Sequence, residues 1–127
     1  MTTPNVFIGA TRQNDGKTSV SLGLLNSLQK RFGNVAYMKP VGQQYKIVNG
    51  LKIDKDAVLF KEVYGLEHPL ESMSPIAVEE GFTQSYLLNP NVSILQERIH
   101  NAYQNLANNS DFALIEGTGH GGGWVCI

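Results

Sequence analysis

The stretch from Gly9 to Ser19, Gly-Ala-Thr-Arg-Gln-Asn-Asp-Gly-Lys-Thr-Ser, limits what this chain can fold into more than any other. It follows a short apolar run, Val6-Phe7-Ile8, and leads into an amphipathic one, so the order reads strand, glycine-containing loop, helix opening at Gly16-Lys17-Thr18. In that setting the backbone N–H groups of the loop point inward around an anion, and the helix N-terminus adds positive potential. Lys17 is placed to reach β- and γ-phosphates and Thr18 to offer its hydroxyl to Mg²⁺. Thr11, Asn14, Asp15, Gly16 and Ser19 complete the candidate cofactor-binding set, although small hydroxyl residues are common at helix starts in any case. The ligand implied is a nucleoside triphosphate. The strict pattern G-x-x-x-x-G-K-[ST] requires glycine at position 11, where Thr11 stands, and Gly9 comes two residues early. A bare Gly-Lys-Thr that merely starts a helix would leave the glycine and hydroxyl content of the loop unexplained.

After the loop, Val20, Leu24, Leu28 and Phe32, with Leu25 alongside, predict a helix with one apolar stripe, closed by Gly33. Val35-Ala36-Tyr37-Met38 is a second buried strand, ended by Lys39-Pro40, and strand, helix and strand together imply a parallel sheet. Asn49-Gly50 lies between two alternating runs, Lys46 to Val48 and Leu51 to Ile53, a strong hairpin signal. Asp54 caps a helix carrying Val58, Leu59 and Val63, with Gly65 as its stop. Leu66 to Pro75 reads as loop, Ile76-Ala77-Val78 as a short strand, and Thr83 as the cap of a single turn. Ser93 and Gln96 have capping-box spacing before a stripe of Leu95, Ile99, Ala102, Tyr103 and Leu106. Phe112-Ala113-Leu114-Ile115 is a continuous apolar run suited to a parallel strand buried on both faces, and it ends in Glu116-Gly117. The fold class is therefore α/β, a P-loop nucleotide-binding domain with a mostly parallel sheet flanked by helices.

Charge and cysteine usage exclude several partners. Ten Lys and Arg against eleven Asp and Glu leave a net charge of -1, without the field that would draw nucleic acid or an anionic membrane. Cys126 is alone among 127 residues, which rules out an internal disulfide and fits a cytoplasmic setting. The opening Met1-Thr2-Thr3-Pro4-Asn5 has neither the basic region nor the apolar segment of a signal peptide. His68, His100 and His120 show no metal-ligand spacing with one another or with Cys126, so a zinc site is not expected.

Three segments make the chain resemble the dethiobiotin synthetase-like P-loop ATPases, a group that includes cobyrinic acid amide synthetases and the N-terminal domain of some phosphotransacetylases. They are Ala10 to Leu25, Tyr37-Met38-Lys39-Pro40-Val41-Gly42, and Phe112 through Glu116-Gly117-Thr118-Gly119-His120. Loops of that family share threonine in place of the first glycine, which makes Thr11 a matching feature. The second and third segments look more like the phosphotransacetylase-type domain and its stand-alone relatives. A biosynthetic dethiobiotin synthetase would usually carry Glu-Gly-Ala-Gly-Gly in the third segment and Asp in place of Arg12.

The resemblance implies ATP and Mg²⁺ as ligands and a homodimer in the full-length form. It makes Lys39 a second catalytic cation beside Lys17, facing the transferred phosphoryl group; read from the residues alone, Lys39 fits a snorkelling surface lysine better. Thr18, Asp56 and Glu116 become the candidate Mg²⁺ ligands, hard oxygens of the kind that ion prefers. Asp54 competes with Asp56 for that role. Three functions stay open: ATP-dependent phosphoryl transfer to a carboxylate or carbamate in a ligase reaction, a non-catalytic nucleotide-sensing domain, and, with less support, a partition-type ATPase using Arg12 as its second basic residue.

Only three core strands are legible, Val6 to Ile8, Val35 to Met38 and Phe112 to Ile115, where doubly wound sheets have five or more. Residues 1–127 are accordingly expected to be the N-terminal portion of a single P-loop ATPase domain. Expressed alone they should melt broadly or at low temperature with little ATP turnover, which differential scanning calorimetry and a phosphate-release assay check; a sharp melt from an active monomer would show the strand count to be wrong.

Overall fold

The structure is a computed structural model, and it describes residues 3–9, 17–78 and 92–117. The expected phosphate-loop residues Thr11, Asn14, Asp15 and Gly16, the side chains of Lys17 and Thr18, the turn expected at Thr83, and Thr118 to Ile127 lie outside the described residues.

A continuous apolar run can be satisfied only where both faces of its strand are covered, and Phe112–Glu116 (β7) is such a strand. It lies between Asn5–Ile8 (β1) and Val35–Met38 (β2), parallel to both. The helix Lys17–Phe32 (α1) connects β1 to β2, so the crossover spans the intervening β7 rather than joining neighbours. Gly33 closes α1 at φ 88°, its N–H donating to the Gln29 carbonyl.

Val41–Gly42 (β3) resumes an extended path just past Pro40, where the sequence suggested that the strand had closed, and it pairs in parallel with Ile76–Ala77 (β6). Tyr45–Val48 (β4) and Leu51–Asp54 (β5) form the expected antiparallel hairpin. Its turn residues Asn49 and Gly50 both have positive φ, 51° and 81°, the backbone that Asn-Gly adopts at low cost. Asp54 then caps Lys55–Tyr64 (α2), its side chain accepting from the Asp56 N–H, and Gly65 ends the helix in the left-handed region.

The expected face holds for most of one helix and fails on the next. On α1 the expected Leu24, Leu25, Leu28 and Phe32 pack against the core, and only Val20, 60% exposed, leaves the stripe, with Ser21 fully buried beside it. On α2 the inward residues are Asp56, Ala57 and Phe60, and Leu59 and Val63 are exposed. The segment read as loop contains one helical turn, Leu70–Met73 (α3), which leaves too short an apolar period to be read from sequence. The helix Val92–Ala107 (α4) already includes Ser93, which is therefore not its cap. Its stripe is as expected, with Ile99 and Leu106 buried and Leu95, Ala102 and Tyr103 partly so.

Leu25, Tyr37, Met38, Ile53, Phe60, Met73 and Leu114 make the centre of the core. Among the described residues no helix is long and apolar enough to cross a membrane. Leu114→Ala, in the middle of the central strand, should destabilise the chain by about 2–5 kcal/mol, read from the denaturant midpoint, whereas Val20→Ala should change stability by less than about 0.5 kcal/mol. Equal effects would contradict the assigned faces of the sheet and of α1.

Candidate functional site

Parallel strands finish on the same side, so Gly9, Lys39 and Gly117, the residues that follow β1, β2 and β7, open on one edge of the sheet. Ligands of open α/β sheets gather at that edge. The register Met38 with Ile115 brings the next residues, Lys39 and Glu116, level with each other. Tyr37 pairs with Leu114, two residues before Glu116, and side chains two apart share a face. The Tyr37 hydroxyl accordingly donates to Glu116 Oε2 at 3.2 Å.

A third contribution comes from the start of α2. Asp54 Oδ1 accepts from the Asp56 N–H at 2.9 Å, the capping bond that turns both acids toward the strand ends. The Asp54 N–H donates to Ser74 Oγ at 2.9 Å. Gly42 runs so close to the Asp54 carboxylate that a β-carbon there would collide with it, which explains a glycine at that position.

Lys39 joins these elements. Its Nζ donates to Asp56 Oδ2 at 2.8 Å and lies 3.6 Å from Asp54 Oδ1 and 3.5 Å from Glu116 Oε1. With a side chain only 12% exposed, it is not a snorkelling surface lysine. Asp54 and Glu116 are fully buried and Asp56 nearly so. Three carboxylates around one ammonium leave two formal negative charges among these four side chains.

The electrostatics follow. Burial opposes the Lys39 ammonium, but Asp54, the hydrogen-bonded Asp56 and Glu116 outweigh it, and the lysine titrates above its ordinary value. Burial pushes the Asp54 and Glu116 carboxyls up, with Lys39 pulling against it in each case. Burial and then the charge of Glu116 drive the Tyr37 hydroxyl well above the usual tyrosine range, so it stays a hydrogen-bond donor. Asp54 Oδ2 and Glu116 Oε1 have no hydrogen-bond partner. Buried hard oxygens and an excess of two negative charges are a donor set that suits Mg²⁺. Among the described residues no group of three or more His, Cys, Asp or Glu has metal-site spacing; the acids surround Lys39 instead.

Of the residues singled out from sequence, Lys39, Asp56 and Glu116 come together. Asp54, named there as a competitor of Asp56, is at the site as well. Ser19, the third residue of α1, is exposed. Tyr37 carried no chemical signal in the sequence: it stood in a segment that carries the resemblance, but no role attached to it there. His68 packs elsewhere, 3.2 Å from Ser110 Oγ, and burial, then the charge of Lys61, lowers its pKa. His100 is exposed on α4.

A family model described as an AAA domain matches residues 4–122. An ATP-dependent dethiobiotin synthetase, BioD 2, of Escherichia coli is 35% identical over 119 residues, covering 93% of this chain and 48% of that protein. The ATP-dependent dethiobiotin synthetase BioD of Methanocaldococcus jannaschii is 30% identical over 133 residues, 96% of this chain and 54% of its own length. A phosphate acetyltransferase of Haemophilus influenzae is 31% identical over 102 residues, 80% of this chain but 13% of that protein. The chain thus spans about half the length of the synthetases it matches.

Removing Lys39 leaves its acids buried without a counter-charge. Lys39→Met should cost about 3–5 kcal/mol at neutral pH. The carboxyls of Asp54 and Glu116 titrate above their ordinary values, so their ionisation weakens the fold as pH rises through those raised values, and protonation relieves the strain. The deficit of Lys39→Met relative to the parent should therefore shrink on acidification toward pH ~4.5, near an ordinary glutamate, in denaturant titrations at several pH values. A deficit independent of pH would contradict the charge argument.

Proposed function

The chain belongs to the AAA domain family, among the dethiobiotin synthetase-like P-loop ATPases, and from that premise we propose that it binds MgATP at the strand-loop-helix of residues 9–19. In this reading it directs the γ-phosphoryl group to a carboxylate or carbamate oxygen in a ligase-type reaction. The observation that carries the proposal is the meeting of Lys39 with Asp54, Asp56 and Glu116 at the C-terminal edge of the parallel strands, the edge on which the helix α1 begins.

Phosphoryl transfer asks a protein for positioning and charge compensation rather than covalent chemistry. The loop N–H groups and the N-terminus of α1 hold the phosphates, and Lys17 reaches the β/γ oxygens. Glu116 and Asp56, with Thr18, would hold Mg²⁺, which when bound would offset charge on the phosphate oxygens. Lys39, kept protonated by its acids, faces the acceptor and the transferred group. The acceptor oxygen attacks the γ-phosphorus as the bond to the bridging oxygen breaks and ADP leaves. An amine then attacks the activated carbonyl carbon and expels phosphate. Lys39 does not gain or lose a proton in either step; it offsets negative charge on the equatorial oxygens.

A second reading, non-catalytic nucleotide sensing, is favoured by the match to a small part of a phosphate acetyltransferase. The two readings share the binding site and differ in turnover. Calorimetric titration with ATP and Mg²⁺ should show binding that Lys17→Ala weakens at least tenfold, the loss of a charge-assisted contact worth about 1.5–3 kcal/mol; equal affinities would sink the nucleotide assignment. ADP formation that depends on an added carboxylate or carbamate acceptor supports the ligase, and binding without ADP across an acceptor panel supports sensing.

A further inference from the structure

Glu116 ends β7 with a fully buried carboxylate, and the two oxygens of that carboxylate are treated differently. Oε2 accepts the Tyr37 hydroxyl at 3.2 Å. Oε1 makes no hydrogen bond and lies 3.5 Å from Lys39 Nζ, on the side where the other acids meet, and the buried Ser21 hydroxyl, itself without a hydrogen-bond partner, also favours the charged carboxylate. A buried carboxylate with one oxygen tied loses most of its freedom about its last torsion, so the bond decides which oxygen faces the site.

Tyr37 is itself held. It is fully buried, and its ring stacks face to face on Phe60, with centroids 3.9 Å apart and planes within 6°. Phe60 is four residues beyond Asp56 on α2, and both are inward residues of that helix. The stack therefore fixes the hydroxyl from the helix that carries Asp56, while the hydroxyl fixes the acid on the central strand. One side chain sets the two carboxylates relative to each other across elements that are far apart in sequence.

We propose that Tyr37 is a positioning residue that holds Glu116 so that Oε1 is presented to the cation bound with the nucleotide. The role rests on the metal reading given under Proposed function. Partners that orient a metal-ligating side chain typically account for a 10- to 100-fold difference in metal affinity. A residue serving only to fill the core would be replaced by phenylalanine without that loss, because the ring and its stack on Phe60 survive.

The test compares the 127-residue chain with Tyr37→Phe in two measurements. ATP affinity is measured by calorimetry in EDTA and then with Mg²⁺: the metal-free affinities should agree, and the gain on adding Mg²⁺ should be about tenfold smaller in Tyr37→Phe. Without nucleotide or metal, the side-chain carboxyl ¹³C resonance of Glu116 should move in Tyr37→Phe, because its hydrogen-bond donor is gone. An unmoved resonance, or an equal Mg²⁺ gain beside a responsive wild type, overturns the role of Tyr37 alone. A wild type whose ATP affinity ignores Mg²⁺ overturns the metal reading and this role with it. Should Tyr37→Phe lose the far-ultraviolet circular dichroism of the parent, Phe60→Leu, which keeps the hydroxyl but removes the stack, should also reduce the Mg²⁺ gain at unchanged metal-free affinity; a full gain there overturns the proposal.

Discussion

The backbone of Phe112–Glu116 hydrogen-bonds to β1 on one flank and β2 on the other, so the strand has no free edge, and its last four residues are buried. A strand in that position has to be apolar along its length, and any charge it carries must sit at an end. Glu116 is at the C-terminal end, on the edge where parallel strands leave space for a ligand. The same pairing puts Lys39 level with Glu116 and turns Tyr37 toward it. The position of every group at the site follows from the register of this strand or from the capped start of α2, which packs against the neighbouring β2 through the Tyr37–Phe60 stack.

Burial of three acids around one lysine is a poor way to stabilise a fold, because desolvation offsets most of the attraction between the charges. The raised pKa values of Asp54 and Glu116 express that cost. What the arrangement supplies is preorganisation: acids and ammonium are already fixed, so little reorientation is needed when a charged ligand arrives. Lys39 is common to all three acids, and each has further support. Asp54 is held also by its capping bond and by Ser74, Asp56 by its own N–H in that bond, and Glu116 by Tyr37. Gly42 leaves room for the Asp54 carboxylate.

Helix faces were the least legible part of the chain. The inward side of α2 includes Asp56, and that of α1 includes Ser21. A reading that collects apolar residues leaves such positions out: it adds the exposed Val20 to an otherwise inward α1 stripe and turns that of α2 toward Leu59 and Val63, which are exposed. An acid pointing inward from a helix is legible only through its partner, here Lys39. The stripe of α4, with no site residue on it, came through unaltered. The role of Tyr37 was illegible for a related reason: in an apolar run a tyrosine reads as core, and nothing local says where its hydroxyl ends.

By itself the sequence determined what depends on neighbours in the chain. The Asn49-Gly50 turn, the Asp54 cap, the left-handed stop at Gly65 and the apolar run of β7 are backbone preferences acting over a few residues. It also pointed to Lys39, Asp56 and Glu116, through motif position rather than through any visible contact. Tertiary structure decided the order β1-β7-β2, the face that α2 turns inward, and the assembly of Lys39 with acids from two distant segments. Strand register and helix rotation are set by which surfaces bury each other, and partners some 80 residues apart, such as Tyr37 and Glu116, leave no local trace of their meeting.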